Sequence, residues 1–204
     1  MEPYKSQQSN NAKQAGINPV EITGNWDKGF VMDKHIISST LKGENVYGYK
    51  DYDTVRTELG ELVFQLKYRS KHDNVYKILK MIKPFLDKFE ELKEVDIVLP
   101  VPSSKERDYQ PVEELARVIA DYLNVSYTCD VLKKISPQQS KNMDKNAKCI
   151  EGSIVRKLDA KKPHTVLLVD DLYSTGATLT ECVSALRTDS LLNKVYAVIM
   201  TRTK

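Results

Sequence analysis

The chain has 204 residues, and its 41% hydrophobic and 29% charged content is typical of a folded globular domain rather than a disordered or membrane protein. Neither a segment of roughly 20 apolar residues nor a signal peptide is recognisable, so we expect a cytoplasmic protein. The net charge of +3 is modest, and the cysteines (Cys129, Cys149 and Cys182) lack CxxC spacing, which argues against a zinc ribbon or a disulfide framework.

The N-terminal part of the chain reads as an arm followed by an extension. Residues 1–20 are polar and aperiodic, and we predict a disordered or loosely attached arm. Residues 21–92 are predicted to form a β-hairpin and helical extension, a candidate hood. GFVMDKHIISSTL and NVYGYKDY read as strands; apolar spacing predicts helices near 55–66 and 75–89, the second kinked or interrupted at Pro84. His35 is interpreted as structural rather than as a metal ligand.

Strands alternate with helices over residues 93–204, which we predict to form the core. The apolar strands VDIVLPVP, VSYTCDVL, TVLLVD and KVYAVIM are separated by PVEELARVIADYL, a long loop and GATLTECVSALR. This order predicts an α/β fold with an open, mainly parallel sheet flanked by helices, to which the small β/α extension is added. Right-handed crossovers would place the strand ends that precede helices along one edge, where ligands bind.

The long loop is basic. Between Lys133 and Lys162 the chain carries nine Lys or Arg against three Asp or Glu, which favours an anionic partner. A solvated basic loop explains the charge equally well. A nucleic-acid partner is the weakest interpretation, because the chain lacks aromatic-basic interleaving and known nucleic-acid motifs.

The stretch VLLVDDLYSTGATLTEC combines chemical groups that one helix cap does not explain. A helix that begins near Gly176 offers free backbone N–H groups to an anion, and nearby hydroxyls add donors. Asp170 and Asp171 would repel a phosphate, so they face sugar hydroxyls, a metal ion or a developing positive charge. A ligand such as ribose 5-phosphate satisfies both halves. A nucleotide triphosphatase strand also ends in acidic residues, but the chain has no G-x-x-x-x-G-K-[ST] loop.

A second polar loop, PSSKERDYQ, follows the first core strand. Its serines and cations suit a second anionic group, although by itself a plain capped turn explains it as well. The candidate residues are Ser103, Ser104, Lys105 and Arg107.

VLLVDDLYSTGAT resembles the phosphoribosyl-diphosphate (PRPP) motif of the type I phosphoribosyltransferases. Together with ELVFQLKYRSKHDN, VLPVPSSKERDYQPVEELARVIA and LKKISPQQSKNMDKNAKCIEGSIV, it is similar in order to the ComF-like branch, over roughly residues 55–204. The chain departs from that branch in lacking a four-cysteine ribbon, in having Asp108-Tyr109-Gln110 for Phe-Asn-Gln, and in matching its basic-Asn pair only by Lys145-Asn146.

The resemblance implies a role for each part of the site. Asp170 and Asp171 would bind the ribose hydroxyls and stabilise the transition state. The 5-phosphate would be bound by Tyr173, Ser174, Thr175, Gly176, Ala177 and Thr178. Pyrophosphate, with Mg²⁺ held through ligand and water rather than directly by the protein, would be bound by Ser103, Ser104, Lys105 and Arg107. A closing loop would contain Lys141, Lys145 and Lys148.

The sequence therefore predicts a Mg²⁺-dependent phosphoribosyltransferase that transfers ribose 5-phosphate from PRPP to a nitrogen nucleophile, such as a nucleobase. Two alternatives stay open: a PRPP or nucleotide sensor without turnover, and a ComF-like protein of DNA uptake. The acceptor is not identified, nucleic acid and membrane are not expected as partners, and a homodimer is left open.

Overall fold

The structure, a computed structural model, describes residues 16–103, 108–135 and 153–203. The strands are β1 (Val20–Ile22), β2 (Lys28–Lys34), β3 (Ile36–Glu44), β4 (Lys50–Arg56), β5 (Ile97–Pro100), β6 (Ser126–Tyr127), β7 (Leu132–Lys134), β8 (Ile154–Arg156), β9 (Thr165–Tyr173) and β10 (Lys194–Arg202). The α-helices are α1 (Glu58–Tyr68), α2 (Asn74–Leu86), α3 (Pro111–Leu123) and α4 (Ala177–Leu186), and short 3₁₀ helices cover Glu90–Glu94 and Ser190–Leu192.

The main sheet has the strand order β1-β2-β10-β9-β5-β6 in the described part of the chain. Only β1 pairs antiparallel within this sheet; β2, β10, β9, β5 and β6 run parallel to one another. The predicted open, mainly parallel sheet flanked by helices is therefore confirmed. Among the described helices, none combines the length and apolar character that crossing a bilayer requires.

Helices cover both faces of the main sheet. Alternate residues of β9 explain this arrangement: Leu167 and Val169 belong to the core that α1, α2 and α3 help form, whereas Val166 and Leu168 belong to the core beneath α4. Because both faces of β9 are buried, its sequence reads as a continuous apolar run rather than as an alternating one.

The N-terminal region differs in detail from the sequence-based expectation. The first predicted strand is divided at His35: β2 pairs with β10 in the main sheet, whereas β3 and β4 form a separate antiparallel hairpin. The helix α2 also continues past Pro84 to Leu86. Pro84 lies in the last turn of α2. Proline cannot donate a backbone hydrogen bond, but only two helical residues follow it, so the helix loses little.

The division of the chain at residue 93 stays a prediction, as does the hood. The main sheet takes strands from both sides of this position, because β1 and β2 precede it and the others follow it. The predicted helix over PVEELARVIADYL is confirmed with the same bounds, Pro111–Leu123. Proline at its first position fits a helix start, since the missing N–H would have no intrahelical partner there.

Candidate functional site

The site lies where β9 extends beyond its neighbour β5. Pairing between these strands ends at Pro100 and Val169, and the N–H of Val101 donates to the carbonyl oxygen of Val169 at 2.9 Å. On its other side β9 stays paired with β10 as far as Tyr173. The predicted loop after Val169 is thus shorter than expected, because the long strand β10 supports four further residues of β9.

Beyond Val169, one edge of β9 is therefore not paired with any described strand. A cleft of about 340 Å³ lies beside this edge. We call it the carboxylate cleft. Its lining comes from α1, from the end of β5, from the start of α3, and from β9 and α4. The lining residues are Lys67, Tyr68, Val101, Pro102, Ser103, Gln110, Pro111, Val112, Asp170, Asp171, Leu172 and Thr178. Both predicted ligand loops therefore contribute to the same cleft.

Asp170 and Asp171 both line the carboxylate cleft, although neighbouring residues of a strand face opposite sides of a sheet. Asp171 faces α1, where its Oδ2 lies 2.7 Å from Nζ of Lys67. Asp170 continues the face of β9 formed by Val166 and Leu168, which belong to the core beneath α4. Both carboxylates reach one cleft because none of the described strands pairs with this edge of β9 after Val169.

The two carboxylates have different electrostatic surroundings. Burial raises the pKa of Asp170 well above its usual range, and the neighbouring charge of Asp171 raises it further. The N–H of Asp171, which donates to Oδ1 of Asp170 at 2.8 Å, and the ammonium of Lys67 act in the opposite direction. Burial thus favours the protonated form of Asp170 relative to an exposed carboxyl.

The predicted phosphate cradle lies between β9 and α4. Gly176 is the N-cap of α4, with φ +82°, and it has no side chain with which to cap the helix. The first N–H groups of α4 therefore depend on nearby groups or on a ligand. Ser174 and Thr175 are exposed, and Thr178 lines the carboxylate cleft. The N–H of Ala177 donates to Oγ1 of Thr175 over a long 3.4 Å.

Tyr173 explains why the cradle contains glycine. A Cβ atom at Gly176 would lie 2.6 Å from the Tyr173 hydroxyl oxygen, and the positive φ disfavours any other residue. The Tyr173 carbonyl accepts a hydrogen bond from the Thr203 N–H at 3.0 Å. Hydrogen bonding to the chain after β10 thereby fixes the start of the turn.

The other predicted residues fall into two groups. Ser103 lines the carboxylate cleft. Ser104, Lys105, Arg107, Lys141, Lys145 and Lys148 lie outside the described residues. Their proposed roles stay predictions from the sequence.

Lys67 and Tyr68 were not singled out as site residues from the sequence. They end α1, more than 100 positions before Asp171, and reach the cleft because α1 packs across the same face of the sheet as Asp171. A signal was present, since Lys67 opens the polar break LKYRSKHDN after the apolar positions of α1. Its ion pair with Asp171 depends on the tertiary structure.

The donor set of the cleft fits a Mg²⁺ ion bound chiefly through a ligand. Within the described ranges, no group of three or more His, Cys, Asp or Glu side chains could hold a metal ion. Mg²⁺ often uses one or two carboxylates, with phosphate oxygens and water completing its shell. Asp170 and Asp171 are the carboxylates of this cleft, and such an ion would reach them through ligand oxygens and water.

A larger depression of about 570 Å³ lies near the opposite edge of the sheet, beside Val95 and Asp96 at the start of β5 and Asn124 at the end of α3. In α/β sheets of this kind, ligands bind beyond the carboxyl ends of the strands. The smaller carboxylate cleft is therefore the candidate site, since it alone of the two contains the residues after β5 and β9.

No protein-family model and no curated protein matches the chain. Solved structures do resemble it. An adenine phosphoribosyltransferase is 12% identical with a TM-score of 0.46, over 81% of this chain and 85% of that one. The adenine phosphoribosyltransferase of Trypanosoma brucei, solved with AMP, pyrophosphate and ribose-5-phosphate, is 17% identical with a TM-score of 0.44, over 90% and 74%.

The UMP synthase of Leishmania donovani is 16% identical with a TM-score of 0.38, over 80% of this chain and 27% of that one. These neighbours carry phosphoribosyltransferase or nucleotide-synthesis names. With TM-scores below 0.5, the likeness carries no argument about the activity of this chain. Function is therefore argued from the geometry of the carboxylate cleft.

Proposed function

We propose that the chain is a phosphoribosyltransferase, which transfers ribose 5-phosphate from PRPP to a nitrogen nucleophile such as a nucleobase. One observation carries this proposal: two carboxylates at the open edge of β9 share a cleft with Thr178, in the first turn of α4. A diol requires hydrogen-bond acceptors, and a phosphate requires N–H and O–H donors. Ribose 5-phosphate carries both groups.

In this proposal the carboxylates bind the 2- and 3-hydroxyls, and the turn from Tyr173 to Thr178 binds the 5-phosphate. The bond from C1 to pyrophosphate breaks, a bond from C1 to the acceptor nitrogen forms, and the nitrogen loses its proton. Positive charge develops on the sugar, so fixed carboxylates stabilise the transition state more than the ground state.

The leaving pyrophosphate would be bound by the loop after β5, of which Ser103 is the described member, with Ser104, Lys105 and Arg107 following it. Asp170 and Asp171 would help to hold Mg²⁺ through the ligand and water. When bound, Mg²⁺ would neutralise negative charge on the diphosphate. Lys141, Lys145 and Lys148 would belong to a loop that excludes water from a reactive sugar.

The assignment to one branch of the phosphoribosyltransferases rests on the order of sequence motifs. The similarity to the ComF-like branch supports placing the chain there, and the proposed metabolites place its activity in the cytoplasm. The acceptor is a small molecule in this proposal, rather than nucleic acid. A sensor that binds PRPP without turnover is the alternative with the same binding site.

Calorimetric titration with PRPP and Mg²⁺ tests the binding site. We expect binding by the wild type and a loss of about 100-fold in the double variant Asp170→Asn/Asp171→Asn, since each amide offers the diol one acceptor oxygen in place of a carboxyl group's two. Asp51→Asn, which changes an exposed carboxylate on β4, serves as the control and should bind as the wild type does. Absence of binding by the wild type, or unchanged binding by the double variant, would falsify the proposal.

Incubation with PRPP, Mg²⁺ and a panel of nucleobases separates the enzyme from the sensor. Steady release of pyrophosphate in the presence of one base identifies a transferase and its acceptor. Tight binding without release for any nitrogen nucleophile supports the sensor and contradicts turnover.

A further inference from the structure

The carboxylate of Asp171 is almost completely buried and lies against a single lysine of α1. Its side chain is 6% exposed, and its Oδ2 lies 2.7 Å from Nζ of Lys67, whose side chain is 27% exposed. A charged carboxylate in such a position is costly unless a cation compensates for it. The ammonium of Lys67 is in the right place to do so while staying at the wall of the carboxylate cleft.

The position of Lys67 is set by the way in which α1 is attached to the sheet. The Thr57 hydroxyl donates to the Lys34 carbonyl oxygen at 2.6 Å, and its oxygen accepts the N–H of Gly60 at 2.9 Å. The start of α1 is thereby joined to the end of β2. The helix then runs across the sheet with Leu59, Val63 and Leu66 buried, and its last turn brings Lys67 to Asp171.

His35 also faces this pair but does not replace the lysine. The Thr201 hydroxyl donates to the Asp171 carbonyl at 2.9 Å, so its oxygen accepts a hydrogen from Nδ1 of His35, 3.1 Å away. Burial, followed by the charge of Arg56, lowers the pKa of His35, against a smaller opposite effect of Asp171. The imidazole is therefore neutral near pH 7 and supplies no cation to Asp171.

Two adjacent carboxylates facing one cleft repel each other. Lys67 gives the two different surroundings, because it forms an ion pair with only one of them. Its ammonium lies directly on Asp171, whereas Asp170 interacts with the amide N–H of its neighbour. An ionised carboxylate only accepts hydrogen bonds, whereas a protonated one also donates. A ligand diol, which must donate to the protein here, is best served by a carboxylate that stays ionised.

We propose that Lys67 is a positioning residue of the ligand site, which holds the Asp171 carboxylate in place at the cleft as the acceptor for a ligand hydroxyl. This inference rests on the proposed function, because the hydroxyl is that of PRPP. Lys67 acts through Asp171. Its effect on ligand binding therefore depends on the presence of that carboxylate.

A double-mutant cycle with PRPP and Mg²⁺ tests the dependence by calorimetry. Lys67→Met should weaken binding about tenfold, the loss expected for a charged hydrogen-bonding acceptor. Lys67→Arg keeps the charge and should restore affinity to within about threefold of the wild type. Lys77→Met, an exposed lysine of α2, is the matched control and should have no effect. In an Asp171→Asn background, Lys67→Met should change affinity less than about twofold.

Rescue of affinity by Lys67→Arg is the readout that loss of packing alone would not give, because arginine restores the positive charge beside Asp171. Near-ultraviolet circular dichroism establishes that each variant is folded. If Lys67→Met alone does not fold, PRPP affinity is compared between Lys67→Met/Asp171→Asn and Asp171→Asn, neither of which contains the charged pair. Equal affinities support the positioning role, and weaker binding by the double variant contradicts it.

Two results overturn the proposal: wild-type affinity in Lys67→Met, or an equal loss of affinity from Lys67→Met in the Asp171→Asn background. The last would mean direct contact between lysine and ligand. If the wild type does not bind PRPP, the proposed function fails by itself. Urea unfolding of the wild type, Lys67→Met, Asp171→Asn and the double variant then tests the ion pair alone. Additive effects of the two substitutions on the free energy of unfolding would contradict the ion pair.

Discussion

Asp170 and Asp171 are neighbours in the chain, yet their surroundings differ, because successive residues of β9 face different helices. Asp171 interacts with Lys67 of α1, whereas Asp170 lies on the face of β9 that packs beneath α4. The sequence predicted both carboxylates as site residues but gave them one shared role. The structure distinguishes an ion-paired member from a member whose pKa is raised by burial.

A prediction at the residue scale concerns Gly176. We expect Gly176→Ala to lower the free energy of unfolding by about 1 kcal/mol, because φ is +82°, and to weaken PRPP binding, because the new Cβ would displace Tyr173 beside the cradle. Gly48→Ala is the control: its φ is +78° and nothing lies within 4 Å of the added atom. Urea unfolding should show a smaller stability cost in Gly48→Ala, which lies in the exposed hairpin and meets no neighbour, and calorimetry should show weaker PRPP binding only in Gly176→Ala. Equal PRPP affinities in the two variants would contradict the cradle.

At the scale of elements, α1 connects the N-terminal region to the site. Its first turn is fixed to the end of β2 by Thr57, and its last turn supplies Lys67 and Tyr68 to the carboxylate cleft. Helical periodicity predicted that α1 would exist, but it began the helix near residue 55, whereas Val55 is an exposed residue of β4 and α1 begins at Glu58. The residues it brings to the cleft could not be predicted, since periodicity identifies the buried face but not what lies opposite it.

Gly60 tests the attachment of α1. Alanine usually stabilises a helix by about 1 kcal/mol relative to glycine. Here a Cβ atom would lie 2.2 Å from the His35 carbonyl oxygen, so Gly60→Ala should instead destabilise the protein by about 1–3 kcal/mol. Glu58→Ala, at an exposed position of the same turn, should change stability by less than about 0.5 kcal/mol. Urea unfolding measures both, and a Gly60→Ala protein as stable as the wild type would refute the close approach.

At the scale of the whole molecule, residues on both sides of position 93 build the same core. Met32, Leu59 and Ile78 are fully buried together with Leu115 and Leu167. In contrast, the β3–β4 hairpin is exposed along most of its length, and Ile37, Val46 and Tyr47 are more than half exposed. The hairpin and the rest of the N-terminal region therefore contribute very differently to stability.

Two deletions separate these contributions. Replacing residues 37–55 by Asn-Gly should leave a folded protein with Tm within about 5 °C of the wild type, since Ile36 and Arg56 are paired and a two-residue turn can join them. Removing residues 1–92 should abolish cooperative unfolding, because β2, α1 and α2 are lost from the sheet and core. Calorimetric melting compares the two proteins. A cooperatively folded 93–204 fragment would support an independent core domain instead.

The sequence by itself determined the mainly parallel α/β fold, the helix Pro111–Leu123 and the two loops that meet at one edge of the sheet. These features follow from apolar periodicity and from helix-start residues, which act over a few neighbouring positions. Only the tertiary structure decided that β9 continues to Tyr173, that β2 joins β10, and that Lys67 contacts Asp171. Each depends on which distant segment lies alongside, because strand length is set by the partner strand and a buried carboxylate forms an ion pair only with a cation that packs against it.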